Sequence, residues 1–366
     1  MQKQHIGSIY YLRLMAMLFV VLVHVTAAYS VTLGADTTSY QLYHFVNRIV
    51  RIEAGIFIMI TGLVFFYNYY PKQMTAEKLK DYYRKRVFFI VVPYLVWALF
   101  YEWFAYQMDG RELIFGEVVQ RVLTGASFYQ LYFIFLIVQF YIFLPLFVYL
   151  TQKIGWFRKY LWLVGVLIEI GYHYLNAEYG LTSTVLFLKS LGTFFLGGWL
   201  GIYFSRETAK RKAPSTMYWG IGTLILGTVL ALYHYYVYTT GQISFAFDPY
   251  KIVDAAYLMV GGYFFFRVME TAYEKGKGMP NEIVRNVALY SFGFYLVHPF
   301  ILRLVSLYIP VYNNYSFHVQ VAARYIVVVA LCYLFIFTIH KLSPRIASLM
   351  FGKLPDKAVF LKERQK

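Results

Sequence analysis

Apolar residues in this chain come in long runs rather than in alternation. From residue 8 to residue 340, stretches rich in Leu, Ile, Val, Phe and Tyr recur between shorter polar segments. A helix needs about 20 largely apolar residues to cross the hydrocarbon layer of a bilayer. Ten runs qualify, at roughly 8–30, 44–67, 87–107, 129–151, 161–177, 185–204, 217–239, 250–268, 287–308 and 318–340, the fifth being the shortest. Long alternating strand patterns are absent and irregular backbone cannot face lipid, so the runs predict helices. The expected fold is all-α, a polytopic integral membrane bundle of about ten transmembrane helices over residues 1–345, with 346–366 as a short cytoplasmic basic tail. The first run lacks a small-residue cleavage site and others follow it, so it is expected to be a retained helix and not a signal peptide.

Charge sets the orientation. The connections fall into two alternating sets: one carries 25 Lys and Arg, the other only Arg111 and Arg121. Basic connections stay on the cytoplasmic side, which predicts both termini there and an even number of crossings. The net charge of +16 is thus a topology signal and an anionic-lipid contact, and no nucleic-acid footprint. Composition agrees: 60% of the residues are hydrophobic, 21% aromatic and 14% charged, against about 25% charged in a soluble domain. A secreted domain and a cytosolic enzyme are excluded. The single cysteine, Cys332, lies within an apolar run, which excludes disulfides and cysteine-based metal sites. No two histidines stand at ligand spacing with an acid inside a span, so no metal site is expected. Neither a nucleophile elbow nor a Walker loop occurs.

A Lys or Arg at the bilayer centre costs about 2.5–3.5 kcal/mol on insertion scales. Arg13, Arg48, Arg51, Lys189, Arg303 and Arg324 nevertheless fall within spans, against the acids Glu53, Glu169 and Asp254, together with His24, His173 and His298. The excess of cations predicts that a bound anion, a phosphate or carboxylate, completes the neutralisation. Arg13 and His24 stand 11 residues apart, which on a helix is three turns plus about 20°, so they share a face with Cα atoms about 16 Å apart. That face suits anion binding at one level and proton chemistry at another. In the alternative reading, Arg13 snorkels to the headgroups and His24 bonds a neighbouring helix. His44, Arg48 and Arg51 follow an i, i+4, i+7 pattern in the outer half of the second span. They line either a polar cavity open outward or an anchor for lipid phosphates. Glu169 and His173, four apart, are expected to pair within the fifth span. Asp248, Lys251 and Asp254 are placed to line the outward cavity.

Four stretches carry a resemblance. They are Arg13-x10-His24, Phe57-Ile-Met-Ile-Thr61-Gly62-Leu63, Lys85-Arg86-x6-Pro93-Tyr94-x2-Trp97, and Ser291-x3-Tyr295-Leu-Val-His298-Pro299. In this order the chain resembles the acyltransferase family 3 of bacterial ten-helix membrane O-acyltransferases. That family has F-x-x-x-S-G-F, K-R-x-x-R-I-x-x-P-Y-x-x-W and S-x-x-x-Y-L-x-H-P in the last three places. Two departures stand out: Phe89 where the family has a second Arg, and Gln130-Leu131-Tyr132 where many members have His-Leu-Trp. Both resemble the intercellular-adhesion protein C-like subgroup of exopolysaccharide loci.

The resemblance implies a multi-pass enzyme of the bacterial plasma membrane that transfers an acyl group, acetyl or succinyl, from a cytoplasmic acyl-CoA to hydroxyls of an extracytoplasmic glycan. It implies His24 and Arg13 as the catalytic pair. Arg86, Arg48, Arg51 and His298 would bind substrate, His298 having an equally open structural reading. Acyl-CoA is expected as co-substrate, with no permanently bound cofactor. The fused SGNH hydrolase-like domain of many members is not visible, so a separate acceptor or a polysaccharide synthase or export partner is expected beside membrane lipid. Two other readings stay open: an exporter of a polysaccharide or lipid-linked sugar, and a membrane O-acyltransferase of the His/Asn type with a late histidine such as His298.

Overall fold

Backbone amides in lipid must be satisfied within their own segment, and the apolar runs accordingly fold as helices. The computed structural model describes residues 6–209, 213–245, 248–276 and 278–358, and no strand occurs among them. Lys210, Arg211, Lys212, Lys277, and the tail beyond residue 358 lie outside the described residues. The helices used below are α1 (Ser8–Thr26), α2 (Thr38–Val50), α3 (Glu53–Tyr69), α4 (Ala76–Arg86), α5 (Val92–Asp109), α6 (Phe115–Thr124), α7 (Tyr132–Lys153) and α8 (Leu161–Tyr179). They continue as α9 (Leu191–Ala209), α10 (Ala213–Tyr233), α11 (Tyr250–Lys275), α12 (Met279–Ala288), α13 (Ser291–Tyr308), α14 (Phe317–Leu342) and α15 (Pro344–Phe351).

Among the described residues, nine helical stretches are long and apolar enough to cross a membrane, and all coincide with expected spans. The fifth expected span is also a helix, α8, but it carries Glu169, His173, Asn176 and Glu178 and falls outside those nine. Its position is set by contact with α9, where Gly165 meets the backbone of Leu191 and Gly192. The second span is broken: α2 stops at Val50, Arg51 and Ile52 form the joint, and α3 restarts at Glu53.

Lipid tails supply no hydrophobic drive between helices, so close approach of small residues decides which helices pack. The most intimate pair is α3 with α9. A Cβ on Gly62 would collide with the Phe194 carbonyl, and one on Gly197 with the Met59 carbonyl. The central element is α1, which packs against α2, α3, α11, α12, α13 and α14. None of the α1 residues is exposed, and its side chains are buried or half-buried. Arg13, near the start of the chain, and Lys353, near its described end, line one cavity, which puts both at the same end of the bundle. That end also carries Lys72 and Arg86 and is called the basic end below.

Candidate functional site

A cavity of about 480 Å³ opens at the basic end. Arg13, Lys72, Arg86 and Lys353 line it beside Thr61 and Ser291, and among the described residues no Asp or Glu does. Arg86 is held by its surroundings and not by an acid. Its guanidinium lies 4.8 Å from the centres of the Tyr82 and Tyr141 rings, and Nε is buried without a hydrogen-bond partner among the described residues. The local sequence builds this cradle. Pro145 has no amide to give the Tyr141 carbonyl, and the Tyr82 hydroxyl donates to that oxygen at 2.9 Å instead. Pro93 likewise offers nothing to the Phe89 carbonyl, and the chain opens into a π-turn at Val87–Val91 just before it. Arg13 faces Tyr10 and Tyr141, and no carboxylate pairs with it among the described residues. The structure thus brings Arg13 and Arg86, from the first and third spans, to one anion-ready space. Phe89 lines it where the family motif has its second Arg.

Beyond the deep end of the cavity stands a pair of histidines. The His24 ring is stacked on the His298 ring with centroids 5.1 Å apart, and Tyr295, which lines the cavity, is 6.0 Å from His298. A proline again sets the geometry. Pro299 cannot donate to the Tyr295 carbonyl, and His298 Nδ1 lies 3.0 Å from both that oxygen and the Phe294 carbonyl. Both neighbours only accept, so Nδ1 carries the proton and Nε2 keeps its lone pair; Nε2 is buried with no partner among the described residues. One residue on, the Tyr101 hydroxyl enters the helix ladder, donating to the Leu296 carbonyl at 2.7 Å and accepting from the Phe300 amide at 3.2 Å. The Tyr295 hydroxyl donates to the Gln130 carbonyl, tying α13 to the entry of α7. His24 is also 4.7 Å from the Tyr129 ring, which is 48% exposed.

At that end the joint in the second span exposes Arg51 and leaves Arg48 half-buried. Arg51 Nε donates to Asn47 Oδ1 at 3.2 Å, and Asn47 Nδ2 donates to the Val23 carbonyl at 2.7 Å and to Thr26 Oγ1 at 2.9 Å. Asn47 therefore braces Arg51 against the turn of α1 that holds His24. Arg48 faces Tyr29 and Tyr250, while Asp254 lies within electrostatic reach of Arg48, Arg51, Lys189 and Lys251. An exposed arginine inside a spanning stretch needs water, which makes this a polar vestibule in place of a lipid face. Asn47→Leu should cost about 1–3 kcal/mol, since it strips buried hydrogen bonds from one residue. Thermal unfolding in detergent measures this, and an unchanged midpoint would contradict the brace.

Several residues differ from expectation. Glu169 does not pair with His173; its Oε2 accepts from the Gly192 amide at 2.8 Å, because α9 crosses nearer than one helical turn away. His234 meets His44 across 3.1 Å. Arg303 pairs with Asp109 at 3.3 Å and Arg324 Nε donates to the Ile309 carbonyl at 2.6 Å, so both are satisfied away from the histidines. Arg121, one of the two basic residues on the sparse side, grips the buried Glu102 through Nε, at 3.1 Å to each carboxylate oxygen, and through its terminal amine at 2.9 Å. That hydrogen bond raises the Arg121 guanidinium further above its ordinary range.

A family model described as an acyltransferase domain matches residues 6–337. The chain belongs to acyltransferase family 3. Similar curated proteins include those called probable poly-beta-1,6-N-acetyl-D-glucosamine export protein in Staphylococcus aureus strains MSSA476 and MRSA252. Each is 23% identical over 310 residues, which is 80% of this chain and 81% of the relative. No solved structure matches the chain significantly. As a member of acyltransferase family 3 with nine apolar helices among its described residues, the protein is a multi-pass membrane protein carrying an acyltransferase domain. The acyltransferase family 3 match contains Arg13, His24, Arg48, Arg51, Arg86 and His298, and it ends before α15 and Lys353.

Proposed function

We propose that the protein is an O-acyltransferase of the bacterial plasma membrane. It moves an acetyl or succinyl group from a cytoplasmic acyl-CoA to a hydroxyl of an extracytoplasmic polysaccharide. The observation that carries this reading is the His24–His298 stack, 5.1 Å between ring centres, set between a cationic cavity at one end and a polar vestibule at the other. The basic end faces the cytoplasm, as the distribution of Lys and Arg directs.

Donor phosphates bind Arg13 and Arg86 by charge-assisted hydrogen bonds, and the pantetheine arm extends past Tyr295 toward the histidines. The acceptor hydroxyl enters past Tyr129. His24 takes its proton as the oxygen attacks the thioester carbonyl, forming the C–O bond. The C–S bond then breaks, and the leaving thiolate takes the proton back from His24. His298, its Nδ1 proton committed to the backbone, accepts a substrate hydrogen bond through Nε2. Arg48 and Arg51 hold an anionic acyl group or orient the acceptor. No cofactor is retained; acyl-CoA is consumed as co-substrate.

The name of the relatives favours a second reading, export of a polysaccharide. Mass spectrometry of surface glycans from cells with and without the protein separates the two. Acyl transfer predicts that esters per sugar disappear while polymer still reaches the surface. Polymer trapped inside, with unchanged esters on what escapes, would favour export.

A further inference from the structure

The C-terminal segment is part of the cavity wall. Ser343 caps α15 by accepting from the Ile346 amide at 3.4 Å, with Pro344 in the first turn. The segment is then pinned twice. The Trp97 indole donates to the Met350 carbonyl at 2.9 Å, and His340 Nε2 donates to the Pro355 carbonyl at 2.7 Å. The Pro355 carbonyl can only accept, so in the neutral ring Nε2 carries the proton and Nδ1 accepts from the Tyr290 hydroxyl at 2.8 Å. Between these pins the chain turns at Gly352, whose φ is +75°, a conformation that favours glycine. Space demands glycine as well: a Cβ there would lie 2.5 Å from the Phe89 carbonyl oxygen and 3.1 Å from the Phe292 ring. The turn thus sets Gly352 against the Phe89 backbone, and Phe351, Lys353 and Phe89 line the same cavity. Phe351 is buried, while Lys353 is exposed at the mouth.

We propose that Lys353 is a donor-phosphate ligand, supplying from the C-terminal turn the cation that Phe89 does not provide, so that the site takes the phosphates of a nucleotide thioester. The inference rests on the donor reading given above. It follows from three features of the cavity: among the described residues four basic side chains and no acid line it, the turn that bears Lys353 is held by hydrogen bonds to the Met350 and Pro355 carbonyls, and Phe89, which lines the same cavity, is uncharged. Lys72 and Lys353 guard the mouth, whereas Arg13 and Arg86 lie half-buried, an arrangement suited to a polyphosphate near the entrance and a neutral arm further in.

The test is binding of coenzyme A and of pantetheine, which lacks the nucleotide phosphates, to the full chain in lipid nanodiscs. Lys353→Ala should weaken coenzyme A about fivefold, as for a solvent-exposed ion pair, and leave pantetheine unchanged. The gap should close as ionic strength rises from about 0.05 to about 0.5 M. Lys353→Arg should bind like the parent. Gly352→Ala should copy Lys353→Ala by displacing the turn, and Phe89→Arg should restore coenzyme A binding to Lys353→Ala. Equal affinity of the parent and Lys353→Ala for coenzyme A, or an equal loss for both probes, would overturn the assignment while leaving the donor reading intact. No binding of coenzyme A to the parent would overturn both.

Discussion

His24→Ala is expected to lower ester formation by about 10²–10⁴-fold, the usual worth of a positioned general base, in a protein that still folds. The fold should survive because His24 is only half-buried and its contacts are the rings of His298 and Tyr129. Truncation leaves a space that the vestibule can hydrate, so the change removes proton transfer without removing a structural hydrogen bond. His298→Ala is different in kind. That side chain is fully buried and satisfies the carbonyl that Pro299 leaves open, so stability and activity should fall together. Ester formation in isolated membranes, read beside unfolding midpoints, distinguishes the two. Normal turnover by folded His24→Ala would remove His24 from the chemistry.

Arg86→Ala should raise the donor concentration needed for half-maximal rate by about 10–150-fold, the cost of losing a hydrogen bond to a charged group. Stability should change by less than about 1 kcal/mol. Two effects oppose each other there: the Tyr82 and Tyr141 faces lose a stacked cation, worth about 0.5–2 kcal/mol, but a guanidinium with a buried, unpartnered Nε also disappears. Arg86→Lys should recover only part of the donor affinity, because an ammonium lacks the planar fork that stacks between two rings. Steady-state kinetics with varied acyl-CoA measure both variants. An unchanged donor requirement in Arg86→Ala would place the donor elsewhere.

Hydropathy alone located the helices, because a bilayer permits one solution to a run of about 20 apolar residues. It could not show the joint at Arg51, because no Gly or Pro stands at positions 44–54 and the run's two glycines, Gly55 and Gly62, lie within α3. Nor could periodicity bring His24 to His298, since 273 residues separate them in the chain and only tertiary packing closes that gap. The prolines were readable as carbonyl-freeing positions, but what fills each vacancy was not: Tyr82, from a helix far off in sequence, takes the carbonyl freed by Pro145, and His298 of the same helix takes the one freed by Pro299. Glu102 belongs to the same class. It is an acid inside the third span whose meaning appears only once α6 folds over it and presents Arg121. The C-terminal segment read as a basic tail because its 8-residue helix is too short for a span, although Ser343 and Pro344 are a legible helix start. Its role as a wall comes from Gly352 meeting Phe89, a contact no local pattern encodes.

In the proposed mechanism donor and acceptor meet from opposite sides of the membrane. The direct measurement uses sealed vesicles containing the protein, with oligosaccharides from the producing cell's own surface polysaccharide trapped inside and labelled acetyl- or succinyl-CoA added outside. Molecules whose basic end faces outward should place label on the trapped sugar as an ester, and vesicles carrying His24→Ala should not. Label that reaches sugar only when both substrates share one compartment, or that reaches it equally with His24→Ala, would contradict transfer through the bundle.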